Sequence, residues 1–510
     1  MRTLFFCLAV GCLPASLLST VAAQPAALMM ERRSHDLDSG WRQHGASDAA
    51  VIYRGVVRAP GAQFVRLLMR DTHLPEGSRL RLRAQADGAV QWFDAHSLRD
   101  YAFCSAYFNG PVVSVELVAG AHTRANRVRV DGLEVGRGDV PAPPSICGST
   151  DDRVLSGDRR IGRGISGASA CTWWLANEFT ALTAGHCTPS PGTIPWIVGF
   201  NVPLSTAGGA VVQPPPDDQY SVDLRSVRAT YRGLGADWAV MAFVRNSNHG
   251  LYPGQKQGGW FDIGQVPAAI AGVDLRITGN GSVSAPVSPR WNYVTKTHVG
   301  PRAASSRPDV IAYQADTTDG NSGSPVILES TGEAIGIHTQ RGCTVYGGAN
   351  QGTRIDRSDL AAALPLVMGS KIAGSLSTFG NGCPGAAGIP TLTLSGIPDL
   401  GRSVTVDLDG LPTGQPAVLM LGLSNTVWQS QTLPLDLGGA GITGCELLVS
   451  PDSSVALASV GGMASLSFQV PEMVAALAVD LYTQGFAFDP QASRPVRIIA
   501  TNGGDVFIGG

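Results

Sequence analysis

A serine flanked closely by glycines stands in the stretch Asp319-Gly320-Asn321-Ser322-Gly323-Ser324-Pro325, just ahead of the apolar run Val326-Ile327-Leu328. Glycines on both sides of Ser322 let the backbone turn tightly and bring its N–H groups close to a bound carbonyl. Pro325 ends the turn before what reads as a buried strand. A serine hydroxyl is a poor nucleophile unless a neighbouring base takes its proton, so the chain must supply a base and a group that orients it.

Two upstream stretches offer them. Ala181-Leu182-Thr183-Ala184-Gly185-His186-Cys187 reads as a strand whose small residues let His186 sit close-packed at its end. Cys171 lies beyond a hairpin, and a Cys171–Cys187 bond would staple that hairpin behind the histidine. A lone histidine is more often a surface or core residue, but its place beside a stapled strand end favours the role of base. Gly235-Ala236-Asp237-Trp238-Ala239-Val240-Met241 puts a carboxylate at the start of an apolar strand, where burial demands a partner such as an imidazole N–H. Asp217, Asp218 and Asp223 compete for that role, yet they lie on a proline-rich loop and none opens a hydrophobic strand.

The elements that must position these groups are short strands. Charged residues are only 15% of the chain, apolar residues 44%, and there are 63 glycines and 33 prolines, a mix that favours strands joined by many turns. The net charge of -3 gives no electrostatic case for nucleic acid or an anionic membrane. Residues 1–23, with Arg2, an apolar run and Val21-Ala22-Ala23, read as a secretory signal. A membrane anchor fits less well, because the run is short and no basic flank follows. Cys12 after Gly11 loosely resembles a lipoprotein acceptor, although Ala9 sits where leucine is expected. Residues 24–145 alternate as a β-rich domain closed by the stiff Pro141-Ala142-Pro143-Pro144, and 146–370 carry the candidate site and a helical stretch from Asp356 to Met368. Residues 371–388 read as a glycine-rich linker, and 389–510 alternate again as a β-sandwich. No nucleotide-binding glycine loop or zinc-type cysteine–histidine cluster is present.

The order His186, Asp237, Ser322 is that of chymotrypsin-type proteases. The Thr-Ala-Gly-His-Cys, Gly-Ala-Asp-Trp-Ala-Val and Gly-Asn-Ser-Gly-Ser-Pro runs together resemble those of secreted bacterial trypsin-like serine endopeptidases of the lysyl and glutamyl types, over roughly residues 147–370. The resemblance implies an all-β, chymotrypsin-like double β-barrel with the site in the cleft, flanked here by the N-terminal β-rich domain and the C-terminal β-sandwich. It implies Ser322 as nucleophile, His186 as proton shuttle, Asp237 as the group fixing the imidazole, and the N–H groups of Gly320 and Ser322 as the oxyanion hole. A rival hydrolase architecture needs Gly-x-Ser-x-Gly, but Ser324 stands two past Ser322, and its chain order is reversed.

Two departures qualify the resemblance. Asn321 stands where digestive trypsins carry an aspartate that receives a freshly cut amino terminus. Arg160-Ile161-Gly162 looks like an activation site but lies too near Cys171 to thread back, so it is expected in an exposed loop, with activation independent of a terminal ion pair. The lysyl-endopeptidase relatives imply a Cys147–Cys343 bond; Cys383–Cys445 would then close a loop in the tail and Cys104 stay unpaired. Export makes such bonds expected.

Specificity divides between two residues. Asp316, six before Ser322, matches the pocket-floor aspartate that selects lysine or arginine, whereas His338 resembles the histidine with which glutamyl endopeptidases bind an acidic side chain. Each has a structural reading as well: Asp316 salt-bridged to Arg341, and His338 satisfying a backbone carbonyl. Basic and acidic preference both stand at this point. The N-terminal domain resembles a propeptide that aids folding or blocks the cleft, with a permanent binding domain as the other reading; the C-terminal module suits sorting, cell-surface attachment or spacing. The expected protein is a secreted serine endopeptidase acting on proteins or peptides, without cofactor, metal or transmembrane anchor, although Asp217 and Asp218 offer carboxylates for a structural calcium. The alternative is an inactive protease-fold binding or adhesion protein.

Overall fold

The computed structural model describes residues 26–139, 145–166, 169–188, 195–372, 374–471 and 476–510. The expected signal segment 1–23, with Cys7 and Cys12, and the proline linker 141–144 lie outside the described residues. Among those described, no helix is long and apolar enough to cross a membrane.

The first described element is a long strand, β1 (Ala26–Asp38), that serves two domains. Most of it pairs with Arg129–Asp139 inside an N-terminal β-sandwich, but its first residues pair with the central domain, Ala26 opposite Ala170. The sandwich's second sheet has strict in–out alternation: Val112–Ala119 buries every second side chain, as a sheet with one face on a core should.

The central domain holds two barrels. The first runs through β2 (Ile161–Ser166), β3 (Ser169–Leu175), β4 (Thr180–Thr183), β5 (Ile197–Gly199), β6 (Gln219–Ser221), β7 (Arg228–Tyr231) and β8 (Asp237–Ala242), in the spatial order β6-β5-β2-β3-β4-β8-β7. A bridge between Val222 and Phe243 draws its ends together. β4 and β8 are buried along their whole length, which explains why they read as continuous apolar runs. The second barrel is a closed ring of β9 (Asp274–Gly279), β10 (Lys296–Ala303), β11 (Val310–Tyr313), β12 (Pro325–Leu328), β13 (Ala334–Gln340) and β14 (Asn350–Arg354), ordered β9-β12-β13-β14-β11-β10 and shut by β9–β10. Helix α1 (Ser358–Met368) follows, burying Leu360, Ala363, Leu364 and Val367 at one-face spacing. The expected double-barrel, all-β architecture is the one observed.

Two stretches differ from expectation. Ser375–Phe379, read as linker, is a strand that pairs with Ile498–Phe507 in the C-terminal sandwich. Arg160-Ile161 is not an exposed loop: Ile161 is 1% exposed and opens β2 opposite Trp174, while Arg160 pairs with Asp158 and lies over the Phe261 ring. The buried strand absorbs the apolar Ile161, which a loop would leave in water.

The outer domains are docked, not strung. Buried Ile165, Ala170, Ile197, Val211 and Val244 of the central domain join one apolar core with Val57, Leu67, Leu80, Phe93 and Val115 of the N-terminal sandwich. The C-terminal sandwich is tied by the buried ion pair Arg245–Asp399 and by Arg402 to Asp94 and Asp100.

Candidate active site

His186 sits in a single helical turn, Gly185–Cys187, just after β4. A Cβ on Gly185 would lie 2.0 Å from the Thr230 carbonyl, so only glycine lets this turn press against β7. The turn is fixed from two sides. The Cys171–Cys187 disulfide ties it to β3, and the Asp237 carboxylate accepts both the His186 backbone N–H (2.9 Å) and Nδ1 (2.6 Å). Asp237, at the start of β8, is 2% exposed, and its backbone is held by the Thr353 hydroxyl. A carboxylate that buried needs such donors. The rivals are engaged elsewhere: Asp217 accepts from Asn248, Asp218 from Asn201 and Gln257, and Asp223 pairs with Arg225 and Lys371.

Nδ1 bound to a carboxylate leaves Nε2 as the basic nitrogen. Nε2 is buried and has no hydrogen-bond partner among the described residues. The Ser322 turn packs against the same strand ends: the Thr172 N–H donates to the Ser322 carbonyl at 2.9 Å, and Cys187 Sγ is 3.9 Å from that oxygen. A Cβ on Gly323 (φ +91°) would strike the Thr172 carbonyl and the Thr183 hydroxyl, both at 2.2 Å. His186 and Ser322 are not hydrogen-bonded to each other in this structure; in unliganded sites such bonds are commonly long and tighten when substrate packs against them.

The turn itself is ordered to present donors. Gly320 N–H lies opposite the Asp319 carbonyl, which Ser282 N–H holds at 2.8 Å, and Ser322 N–H lies opposite the Asn321 carbonyl, which Ser324 N–H holds at 2.9 Å. With both carbonyls turned away, neither Gly320 N–H nor Ser322 N–H donates to any acceptor among the described residues. Two unspent N–H groups flanking a serine are what a developing oxyanion requires.

The two specificity candidates separate. Asp316 is 1% exposed; its oxygens accept the backbone N–H groups of Cys147 (2.7 Å) and Asp152 (2.9 Å) and lie 3.3 Å from His298 Nδ1. It anchors the segment entering the domain, beside the Cys147–Cys343 bond. Arg341 pairs with Asp319 at 2.7 Å, not with Asp316. Burial pushes the Asp319 carboxyl up, against the pull of Arg341 and His186. His338, on β13, is 3% exposed and bonds through Nδ1 to the Tyr313 hydroxyl at 2.6 Å rather than to a backbone carbonyl. Burial, helped by the charges of His186 and Arg341, pushes its pKa down to about 3, so the ring is neutral. Its carbonyl accepts Gly323 N–H at 2.8 Å, which places β13 directly under the serine turn.

Cys383–Cys445 closes the tail loop, and Cys104 is buried and free. The sequence reading missed Arg153, whose side chain is buried beneath Asn321, because nothing in Asp151-Asp152-Arg153 marks it as other than a charged turn.

Comparison with known proteins finds peptidases. Residues 171–337 match the family model of the trypsin-like peptidase domain. The chain is 27% identical over 232 residues to a glutamyl endopeptidase of Bacillus licheniformis, a match covering 42% of this chain and 66% of that relative, just under two thirds of its length. Among solved structures it is similar to a Glu endopeptidase in complex with MPD (18% identity, TM-score 0.34, 43% of this chain and 98% of the other). It is also similar to a thermostable serine protease from an extremophilic microorganism (14% identity, TM-score 0.31, 41% and 98%). Residues 171–337 thus carry a trypsin-like peptidase domain, on which the His186, Asp237 and Ser322 motifs stand in the order His, Asp, Ser across two β-barrels.

Proposed function

We propose that the protein is an exported serine endopeptidase that cleaves after an acidic residue. Ser322 attacks the scissile carbonyl while His186 Nε2 takes its proton. Asp237 holds the imidazole in the tautomer with the proton on Nδ1 and stabilises the imidazolium that forms. The tetrahedral oxyanion is received by the N–H groups of Gly320 and Ser322, and His186 then returns the proton to the leaving amine. Water repeats the cycle on the acyl-enzyme. The observation that carries this reading is the short His186–Asp237 bond with Nε2 left unpartnered beside a turn that has two unspent donors.

Support for the acidic preference is chemical. The buried Asp316 carboxylate already has two backbone donors, so it offers little to a lysine or arginine. A neutral His338 whose Nδ1 is engaged by a tyrosine hydroxyl can present Nε2–H to a carboxylate, with Arg341 close by. The similar Bacillus protein is a glutamyl endopeptidase. Three intramolecular disulfides suit an oxidising compartment.

A fluorophosphonate probe is expected to label Ser322 stoichiometrically and to fail with Ser322→Ala or His186→Ala. Asp237→Asn should lower kcat roughly 10⁴-fold with KM little changed. A peptide library should be cut after glutamate or aspartate; cleavage confined to lysine and arginine would overturn the specificity, and absent labelling would overturn the activity.

A further inference from the structure

Asn321 raises a physical question, since it carries no charge to hold the oxyanion turn against a cut amino terminus. The place beneath it is filled by Arg153, whose side chain is 1% exposed. Its guanidinium forks onto Asp151 through Nε (2.8 Å) and Nη2 (2.6 Å). The remaining donors all go to the serine turn and its neighbour: Nη1 to the Thr318 hydroxyl (2.6 Å) and Asn321 Oδ1 (3.2 Å), Nη2 to the Ser282 carbonyl (2.9 Å).

These three acceptors brace the Asp319–Gly320 peptide. Thr318 and Asn321 bracket it, cross-linked by Thr318 N–H to Asn321 Oδ1 (3.1 Å) and by Asn321 N–H to the Thr318 carbonyl (3.0 Å). Ser282 holds the Asp319 carbonyl. Because a peptide unit is planar and trans, fixing that carbonyl toward Ser282 aims the Gly320 N–H the opposite way, into the oxyanion position. A buried lysine secures the segment next to Ser282 as well, Lys296 Nζ donating to the carbonyls of Gly281 (2.6 Å), Trp291 (2.7 Å) and Val294 (2.9 Å). An amide at 321 suits this arrangement: it accepts from the guanidinium while Asp151 supplies the counter-charge.

We propose that Arg153 is the positioning residue that holds the oxyanion turn in its donor-out conformation, so that the hole is preformed without a free amino terminus. The proposal rests on the reading of Ser322 as nucleophile. Arg153 touches neither substrate nor reacting atoms, and acts through Ser282 and Asn321.

The test uses the full secreted chain, with kcat and KM on a glutamyl peptide. It adds the affinities of a matching peptide aldehyde, which forms an oxyanion with the serine, and of the corresponding peptide alcohol, which does not. Arg153→Ala is expected to lower kcat roughly 10²- to 10³-fold, the scale of losing an oxyanion donor. Aldehyde affinity should fall in parallel, with KM and alcohol affinity within a few-fold of wild type. Methylguanidine should restore part of the lost kcat. Thr318→Val removes one brace without stranding Asp151, and should show the same split at roughly a tenfold loss, so it decides the matter if Arg153→Ala fails to fold. Lengthening or acetylating the mature amino terminus should leave kcat unchanged. Unchanged kcat in both variants, or equal losses for aldehyde and alcohol, would overturn the role of Arg153. A wild-type protein that no fluorophosphonate labels would instead overturn the peptidase reading itself.

Discussion

His338 is neutral and buried in the native protein, but its counterpart in the unfolded chain titrates near 6.5. Below that pH the unfolded chain binds a proton that the native state refuses until about pH 3. This contribution to stability is therefore complete above 6.5 and lost as pH falls through that window. Urea midpoints are expected to drop between pH 7 and 4, and His338→Gln, which cannot titrate, should flatten the slope. An unchanged slope would mean that His338 takes up its proton without cost. At this scale the sequence was unevenly informative. Asp237 could be picked out because an aspartate opening an apolar strand must be buried against a donor. Asp316 could not be read, since its two backbone donors come from residues 169 and 164 positions away.

At the scale of elements, the hairpin of β3 and β4 and the turn after it carry the histidine, and the Cys171–Cys187 bond closes that unit over 16 residues. A loop of this size corresponds to about 3 kcal/mol of stability in the chain-entropy account. Replacing both cysteines by alanine should cost about that much in urea unfolding and lower kcat more than it raises KM, because Cys187 also packs against the Ser322 turn. A kcat equal to wild type would show that the Asp237 bonds hold the histidine unaided. The buried strands β4 and β8 were legible as apolar runs. Ser375–Phe379 was not: it is a short strand with no buried residue, and only its partner Ile498–Phe507 makes it one. α1 begins two residues later than expected, since Asp356 is spent on Arg354.

The whole molecule bears on the N-terminal domain. Arg66 donates to the Pro195 carbonyl at 2.9 Å, and Tyr101 to that of Gln219 at 3.1 Å; the Gln219 side-chain amide is bonded in both senses to the Tyr107 backbone at 2.8 Å. With the shared apolar core, these bonds join the sandwich to the first barrel. No hydrogen bond or ion pair among the described residues links residues 26–139 to His186, Asp237 or Ser322. This packing favours a folding partner that stays bound over a plug in the cleft. After a cut between the two domains, near residue 144, both pieces should co-elute on gel filtration and part only in denaturant. A chain lacking residues 26–139 should expose Ile165, Ile197 and Val244 and bind a hydrophobic dye. Free dissociation with a rise in activity would restore the cleft-blocking propeptide.

The sequence by itself determined the fold class and pointed to the reaction class, because a nucleophile, a base and an acid would each need to sit at a strand end, and that demand leaves local marks in small residues, cysteines and apolar runs. The partners of Asp316, His338 and Arg153 were decided only by the tertiary structure. Which aspartate is spent on backbone amides, which residues of the serine turn Arg153 holds, and how the first domain packs on the first barrel all depend on contacts between residues more than a hundred positions apart. Local pattern carries no record of such distances; a buried charge finds its partner only when the barrels close.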